Sequence, residues 1–209
     1  RIYSMKLKIL TVLKSGGDFY PEHVYKIKEM SEEHIKDIDF SFYCFTDLDL
    51  DCNTIKLDHN WPGWWSKIEV FRQEGPCLFF DLDNIICGDI SDIVKDLEGV
   101  GFAMLDIHWR DIFSSSIMYW DGNAKYIYEK FKKDPHSYIN SAWGKKEGDQ
   151  GFILKESKPK GIQSHTKSEE RLVSFKIDLN FGQKFKPDTH SIVHFHGPPR
   201  PWQQGTIKY

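Results

Sequence analysis

A chain of 209 residues is long enough to bury its own core without disulfides. Its 28 Lys and Arg stand against 31 Asp and Glu, a formal net charge of −3, which argues against a non-specific nucleic-acid binder because that needs a positive field. No apolar run approaches the ~18 residues of a membrane-crossing helix, and residues 1–8 carry no apolar signal core, so a soluble, cytoplasmic or otherwise intracellular protein is expected.

Residues 1–5 read as an extraneous leader to a single domain. Leu7–Leu13 is a β-rich run ended by Ser15-Gly16-Gly17 and predicts a first strand. Pro21 opens a helix in which Val24, Ile27, Met30 and Ile35 recur at near-helical spacing. Phe40–Phe45 predicts a second strand, followed by an acidic turn, Asp47-Leu48-Asp49-Leu50-Asp51. Trp64–Arg72 reads as a helix, and Cys77–Phe80 as a short buried strand. Ser91 and Asp92 predict the N-terminal cap of a short helix. Val100–Leu105 and Ser116–Tyr119 read as strands, and Ala124–Lys132 and Asp149–Leu154 as helices. Lys155–Glu170 reads as a polar surface loop, and Arg171–Lys176 and Ser191–His196 as late strands. Strands alternating with helices argue for an α/β sandwich with a mostly parallel sheet, which binds ligands at the carboxyl ends of its strands.

Cys44, Cys52, Cys77 and Cys87 form no Cys-x-x-Cys pair, which argues against a zinc knuckle or redox dithiol. Cys77 and Cys87 sit in apolar segments and read as small buried hydrophobes in a reducing compartment.

The segment Leu78–Ile86 is the most informative. On an extended chain Asp81 and Asp83 project together while Leu82 faces the core. Two carboxylates at one spot repel unless a cation lies between them, and hard divalent cations prefer oxygen ligands. The same pattern also opens haloacid-dehalogenase-type phosphatases, with the first Asp as nucleophile, although Asn84 stands where those have Thr or Val. The second informative stretch is Ile192–Trp202. His194 and His196 share a strand face, Gly197 lets the backbone turn, and the fork of Arg200 matches phosphate oxygens. Asp106 and His108 follow a strand and read chiefly as structural. Trp64, Trp65, Trp120 and Trp202 offer faces for sugar stacking, although a Trp is more often core.

These two segments, in this order, resemble the nucleotide-sugar glycosyltransferases of the glycogenin-like group, family 8. That group carries an Asp-x-Asp after a buried strand and a His-x-x-Gly-x-x-Lys-Pro-Trp segment near its end. His194, Gly197, Arg200, Pro201 and Trp202 follow the second pattern, with Arg200 in place of Lys. Gly63–Lys67, Phe113–Ser116 and Gly148–Gly151 add further pieces, with Ser114 where the group often has Asn. The resemblance runs from about Lys6 to Trp202, on a chain short for the group.

The resemblance implies a GT-A fold, a Rossmann-like α/β/α sandwich, forming one glycosyltransferase catalytic domain over residues 1–209. It implies Mn2+ or Mg2+ held by Asp81, Asp83 and His194. A nucleotide diphosphate sugar, UDP-linked by the same resemblance, would meet Thr11, Val12 and Leu13 at the base. Lys67, Leu82, Ser114, Gly197 and Arg200 would meet its diphosphate or sugar. Asp149 and Gln150 would lie beside the transferred sugar and, with Lys67 and Arg200, act in a retaining transfer to an acceptor that the sequence does not name. Asp149 also reads as a helix cap. A non-catalytic nucleotide-sugar or glycan binder of the same fold is the other alternative.

Overall fold

The computed structural model describes residues 6–107, 112–179 and 184–209. Residues 1–5 and His108 lie outside the described residues. In chain order the strands are β1 (Leu7–Leu13), β2 (Phe40–Thr46), β3 (Thr54–Lys56), β4 (Cys77–Phe80) and β5 (Asn84–Ile86). They continue as β6 (Phe102–Ile107), β7 (Ile112–Trp120), β8 (Lys160–Gly161), β9 (Leu172–Ser174) and β10 (Ile192–His194). The α-helices are α1 (Pro21–His34), α2 (Ser91–Asp96), α3 (Lys125–Lys133), α4 (Pro135–Ile139), α5 (Ala142–Ser157) and α6 (Ile162–Thr166).

Strand composition explains the layering. β1 sends Leu7, Ile9 and Leu13 into one apolar cluster and Leu10 into a second on its other face. β4 divides in the same way, with Leu78 and Phe80 on one side and Cys77 and Phe79 on the other. Strands apolar on both faces require cover on both faces, which is the signature of a buried, largely parallel sheet. The first cluster is closed by α1 through Val24, Ile27 and Met30, and the second by α3 and α5 through Ile127, Phe131 and Phe152. Full burial of one such side chain stabilises by about 1.5–3 kcal/mol.

The central sheet has the order β3-β2-β1-β4-β7-β6-β8. Among these strands only β7 runs antiparallel to its neighbours. A second sheet, β5-β10-β9, pairs β10 antiparallel to β5 and parallel to β9. Residues 81–83 carry the chain from one sheet to the other. The expected α/β/α sandwich with a mostly parallel sheet is therefore present. No helix among the described residues is long and apolar enough to cross a membrane.

Several elements differ from the sequence reading. Gly63–Arg72 is a 3-10 helix rather than an α-helix; it is buried from Trp65 to Phe71, with Trp65, Ile68 and Phe71, spaced by three, in the second apolar cluster. α2 starts at Ser91, but the capping carboxylate is Asp89, which accepts from the Ser91 amide and hydroxyl. The stretch 155–170 is not all surface loop. It holds β8 and α6, because Asp106 accepts from the Gln163 and Ser164 amides while Ile162 enters the core. The expected strand Arg171–Lys176 is cut to Leu172–Ser174, then turns into the π-helical segment Phe175–Leu179, where Asp178 accepts from the Ser174 amide. Ser191–His196 is likewise a strand only over Ile192–His194. Cys77 is buried, whereas Cys87 is only half-buried.

Candidate active site

The centre of the site is a lysine held among acids. Lys67 lies on the 3-10 helix, and its Nζ is 2.9 Å from Asp81 Oδ2 at the end of β4 and 3.1 Å from Asp149 Oδ2 on α5. It also donates to Ser115 Oγ of β7 at 3.1 Å, and Ser115 Oγ donates to Asp149 Oδ2 at 2.9 Å. The Ser115 amide donates to Gln150 Oε1 at 3.3 Å. One lysine thus ties together three elements far apart in sequence. Burial alone would lower the Lys67 pKa, but Asp149 and Asp81 offset it and hold the ammonium charged, above its usual range.

Asp149 reaches this position through Gly148. That residue breaks α5 with φ 63° and ψ −158°, a conformation essentially reserved for glycine. The carboxylate is therefore turned onto Ser115 and Lys67 instead of acting as a helix cap.

Asp81 and Asp83 do face one cleft, as expected, but not through strand pleat. They lie in the turn between β4 and β5. Its backbone is held from both sides. The Asp81 amide donates to the Ser116 carbonyl at 2.8 Å and the Phe195 amide to the Asp83 carbonyl at 3.1 Å. Asn84 Nδ2 donates to the carbonyls of Asp81 and Ser116. Leu82 packs into the first cluster. Asp83 pairs with Arg200, whose guanidinium also lies 4.7 Å over the Phe19 ring and 3.8 Å from Asp18. Burial pushes the Asp81 carboxyl up to about 7, with Lys67 opposing and Asp83 and Asp149 adding to it. Burial also raises Asp83, against Arg200 and Lys67.

These groups line a cleft of about 430 Å³. Its walls include Val12 and Leu13 at the end of β1, the loop 14–19, Gly63, Trp64, Lys67, the Asp81–Asp83 turn and Arg200. Thr11 is fully buried and donates to the Phe80 carbonyl at 2.9 Å, so it braces β1 against β4 and is not part of the lining. Ser114 bonds to Ser116, and the serine that joins the Lys67 network is its neighbour Ser115. Gly197 has φ +72° beside Lys176 and lies outside the lining. Asp47 pairs with Lys14 and accepts from the Ser15 amide, which makes the acidic cluster a loop anchor. Asp18, Phe19 and Ser115 carry site contacts that sequence reasoning missed; the Gly16-Gly17 break and the serine run were their only signals.

The expected metal triad is not assembled. His194 is buried on β10 and lines a different cavity of about 610 Å³. Among the described residues no group of three His, Cys, Asp or Glu side chains is placed to hold a metal ion. Lys67 and Arg200 each take one of the carboxylates instead. The donor chemistry still fits a hard divalent cation. Asp81, Asp83 and Asp149 outnumber Lys67 and Arg200 three to two, and among the described residues His194 Nδ1 is buried without a hydrogen-bond partner. Burial lowers the His194 pKa to about 3, which keeps the imidazole neutral, the form that ligates metals.

Of the tryptophans, Trp65 and Trp120 are core, Trp202 stacks on His23 at 3.8 Å, and Trp64 stands exposed at the cleft.

No family model matches the chain, and no curated protein matches it. Solved structures do. The glycosyltransferase GlyE of Streptococcus pneumoniae TIGR4 superimposes with TM-score 0.63 at 14% identity, over 97% of this chain and 57% of GlyE. The fold is GT-A. The galactosyltransferase LgtC, solved with donor and acceptor sugar analogues, gives TM-score 0.60 at 10% identity over 95% of this chain and 90% of LgtC. The bifunctional glycosyltransferase WbbM gives 0.56 at 9% identity over 97% of this chain and 48% of WbbM. The chain thus spans little more than half of GlyE. In a GT-A sandwich of this kind, the acidic turn at the end of β4 lies at the carboxyl edge of the parallel strands, where open α/β sheets bind ligands.

Proposed function

We propose that the protein is a glycosyltransferase of the glycogenin-like group that takes a UDP-linked sugar and transfers it with retention to a second substrate. The observation that carries this reading is the convergence of Asp81, Asp83, Lys67 and Arg200 on one cleft of a GT-A fold. The fold also favours transfer over the phosphatase alternative. The four free cysteines support a reducing compartment.

Val12 and Leu13 would wall the base, and Lys67 and Arg200 would turn N–H donors from Asp81 and Asp83 to the diphosphate, where negative charge grows as the sugar leaves. Asp149, held by Lys67 and Ser115 just behind the cleft lining, would offer a carboxylate to the positive charge that develops on the sugar, and Gln150, whose amide oxygen accepts from the Ser115 N–H, would lie beside it. Asp81 and Asp83 would hold the Mn2+ or Mg2+; His194, which lines the neighbouring cavity, would have to be brought to the Asp81–Asp83 turn to serve as a third ligand. When bound, the cation supplies Lewis-acid neutralisation of the leaving diphosphate.

Thermal unfolding tests this directly. UDP with Mn2+ at about 100 times its dissociation constant should stabilise by about 2.7 kcal/mol, roughly 5–10 °C for a domain of this size. The shift should need Mn2+ and disappear in Asp83→Ala. Absence of any shift with UDP, GDP or CDP sinks the reading.

A further inference from the structure

Trp64 is the group that the donor chemistry leaves without a task. The residue is 56% exposed and is the tryptophan that lines the cleft. A single exposed aromatic is ordinary on a surface; what singles out Trp64 is that it lines the cleft beside Lys67. Three features fix its place. On a 3-10 helix residues i and i+3 eclipse, so Trp64 lies one turn from Lys67 on the same face. Gly63 has φ +52° and turns the chain into that helix. At the kink, a Cβ on Gly148 would lie 3.2 Å from the indole Nε1, so the ring rests against the backbone that presents Asp149. The indole is therefore a flat apolar wall at the mouth of the cleft, next to the carboxylate placed at the reacting sugar.

We propose that Trp64 is the stacking platform of the acceptor subsite, and that the acceptor presents a pyranose ring. The axial C–H bonds of a pyranose form a weakly positive apolar face, which matches the negative face of the indole quadrupole. The ring hydroxyls would remain at the open side of the cleft. This inference rests on the glycosyl-transfer reading for the meaning of the subsite, but the platform is testable without turnover.

Saturation-transfer NMR with methyl β-glucoside, methyl β-galactoside and lactose, on protein with and without UDP and Mn2+, reads saccharide contact directly. At least one saccharide should show saturable transfer to its C–H protons. Its dissociation constant should rise at least tenfold in Trp64→Ala and less in Trp64→Phe. The UDP–Mn2+ melting shift should stay unchanged in both variants, and the unliganded melting temperature should stay within a few degrees because the ring is exposed. No saccharide contact in the wild type, or contact that survives Trp64→Ala, overturns the platform. Loss of the UDP shift in Trp64→Ala also overturns it, because the ring then belongs to the donor. A wild type that binds saccharide but never UDP overturns the donor reading and leaves the platform standing.

Discussion

Lys67 shows how much one side chain can decide. It is the shared partner of two carboxylates and a hydroxyl that arrive from three elements. Replacing it by Met would leave Asp81 and Asp149 facing each other with no cation between them. Removing one partner of a buried ion pair strands the other charge, at a cost of about 3 kcal/mol or more. Lys67→Met should therefore lower the unfolding free energy read from urea denaturation at pH 7 by that amount, and the loss should shrink at pH 5 as the carboxylates take up protons. An unchanged midpoint at pH 7 would mean that the network is solvated and contributes little. By resemblance the sequence reads this lysine as facing the diphosphate or sugar, but its grip on Asp149 was not legible, because the 81 intervening residues carry no signal of that contact.

At the level of elements, legibility followed apolar periodicity. β1, α1 and β4 read correctly because Leu7, Ile9 and Leu13, Val24 and Ile27, and Leu78 and Phe80 repeat at the period of their structures. β3, β5 and β8 have two or three residues each, too few for any period to register. The Asp81–Asp83 pair was located correctly for a different reason than pleat, since a turn also brings i and i+2 to one side. α5 was seen only in its second half, because Gly148 interrupts the helical phase. That kink carries its own prediction. Gly148→Ala forces an L-residue into a glycine conformation and presses a methyl toward the Trp64 ring, so it should cost about 1–3 kcal/mol in urea denaturation. A neutral result would show that α5 can straighten without loss, and Asp149 would then need another explanation for its position.

The charge balance of the whole molecule gives a pH signature. The folded carboxyl of Asp81 lies near 7 and that of Asp83 is also raised, whereas an unfolded Asp titrates near ~3.9. The native state thus holds more protons on these groups between the two values. Their contribution is fully favourable below about pH 4 and is lost as pH rises toward 7. His23, His190, His194 and His196 are shifted down by burial, so their contribution runs the other way, rising with pH up to the unfolded His value. The two sets oppose each other, and a difference between variants separates them. Without metal, Asp81→Asn should gain stability relative to wild type as pH is raised from 4.5 to 7.5, read as the gap between urea midpoints. A gap that stays constant with pH would show that Asp81 titrates normally.

The small sheet carries a consequence for how the molecule assembles. β10 pairs with β5 through Ile192 and Ile86, more than a hundred residues apart along the chain. Contacts of such long range close late, because the loop entropy must be overcome before they stabilise anything. The turn bearing Asp81 and Asp83 lies at the edge of that sheet, and Arg200 follows β10 by a few residues. During folding the central sheet can therefore consolidate with Asp81 already held by Ser116 and Lys67 while Asp83 still lacks Phe195 and Arg200, and the cleft takes its final form only when the last strand docks.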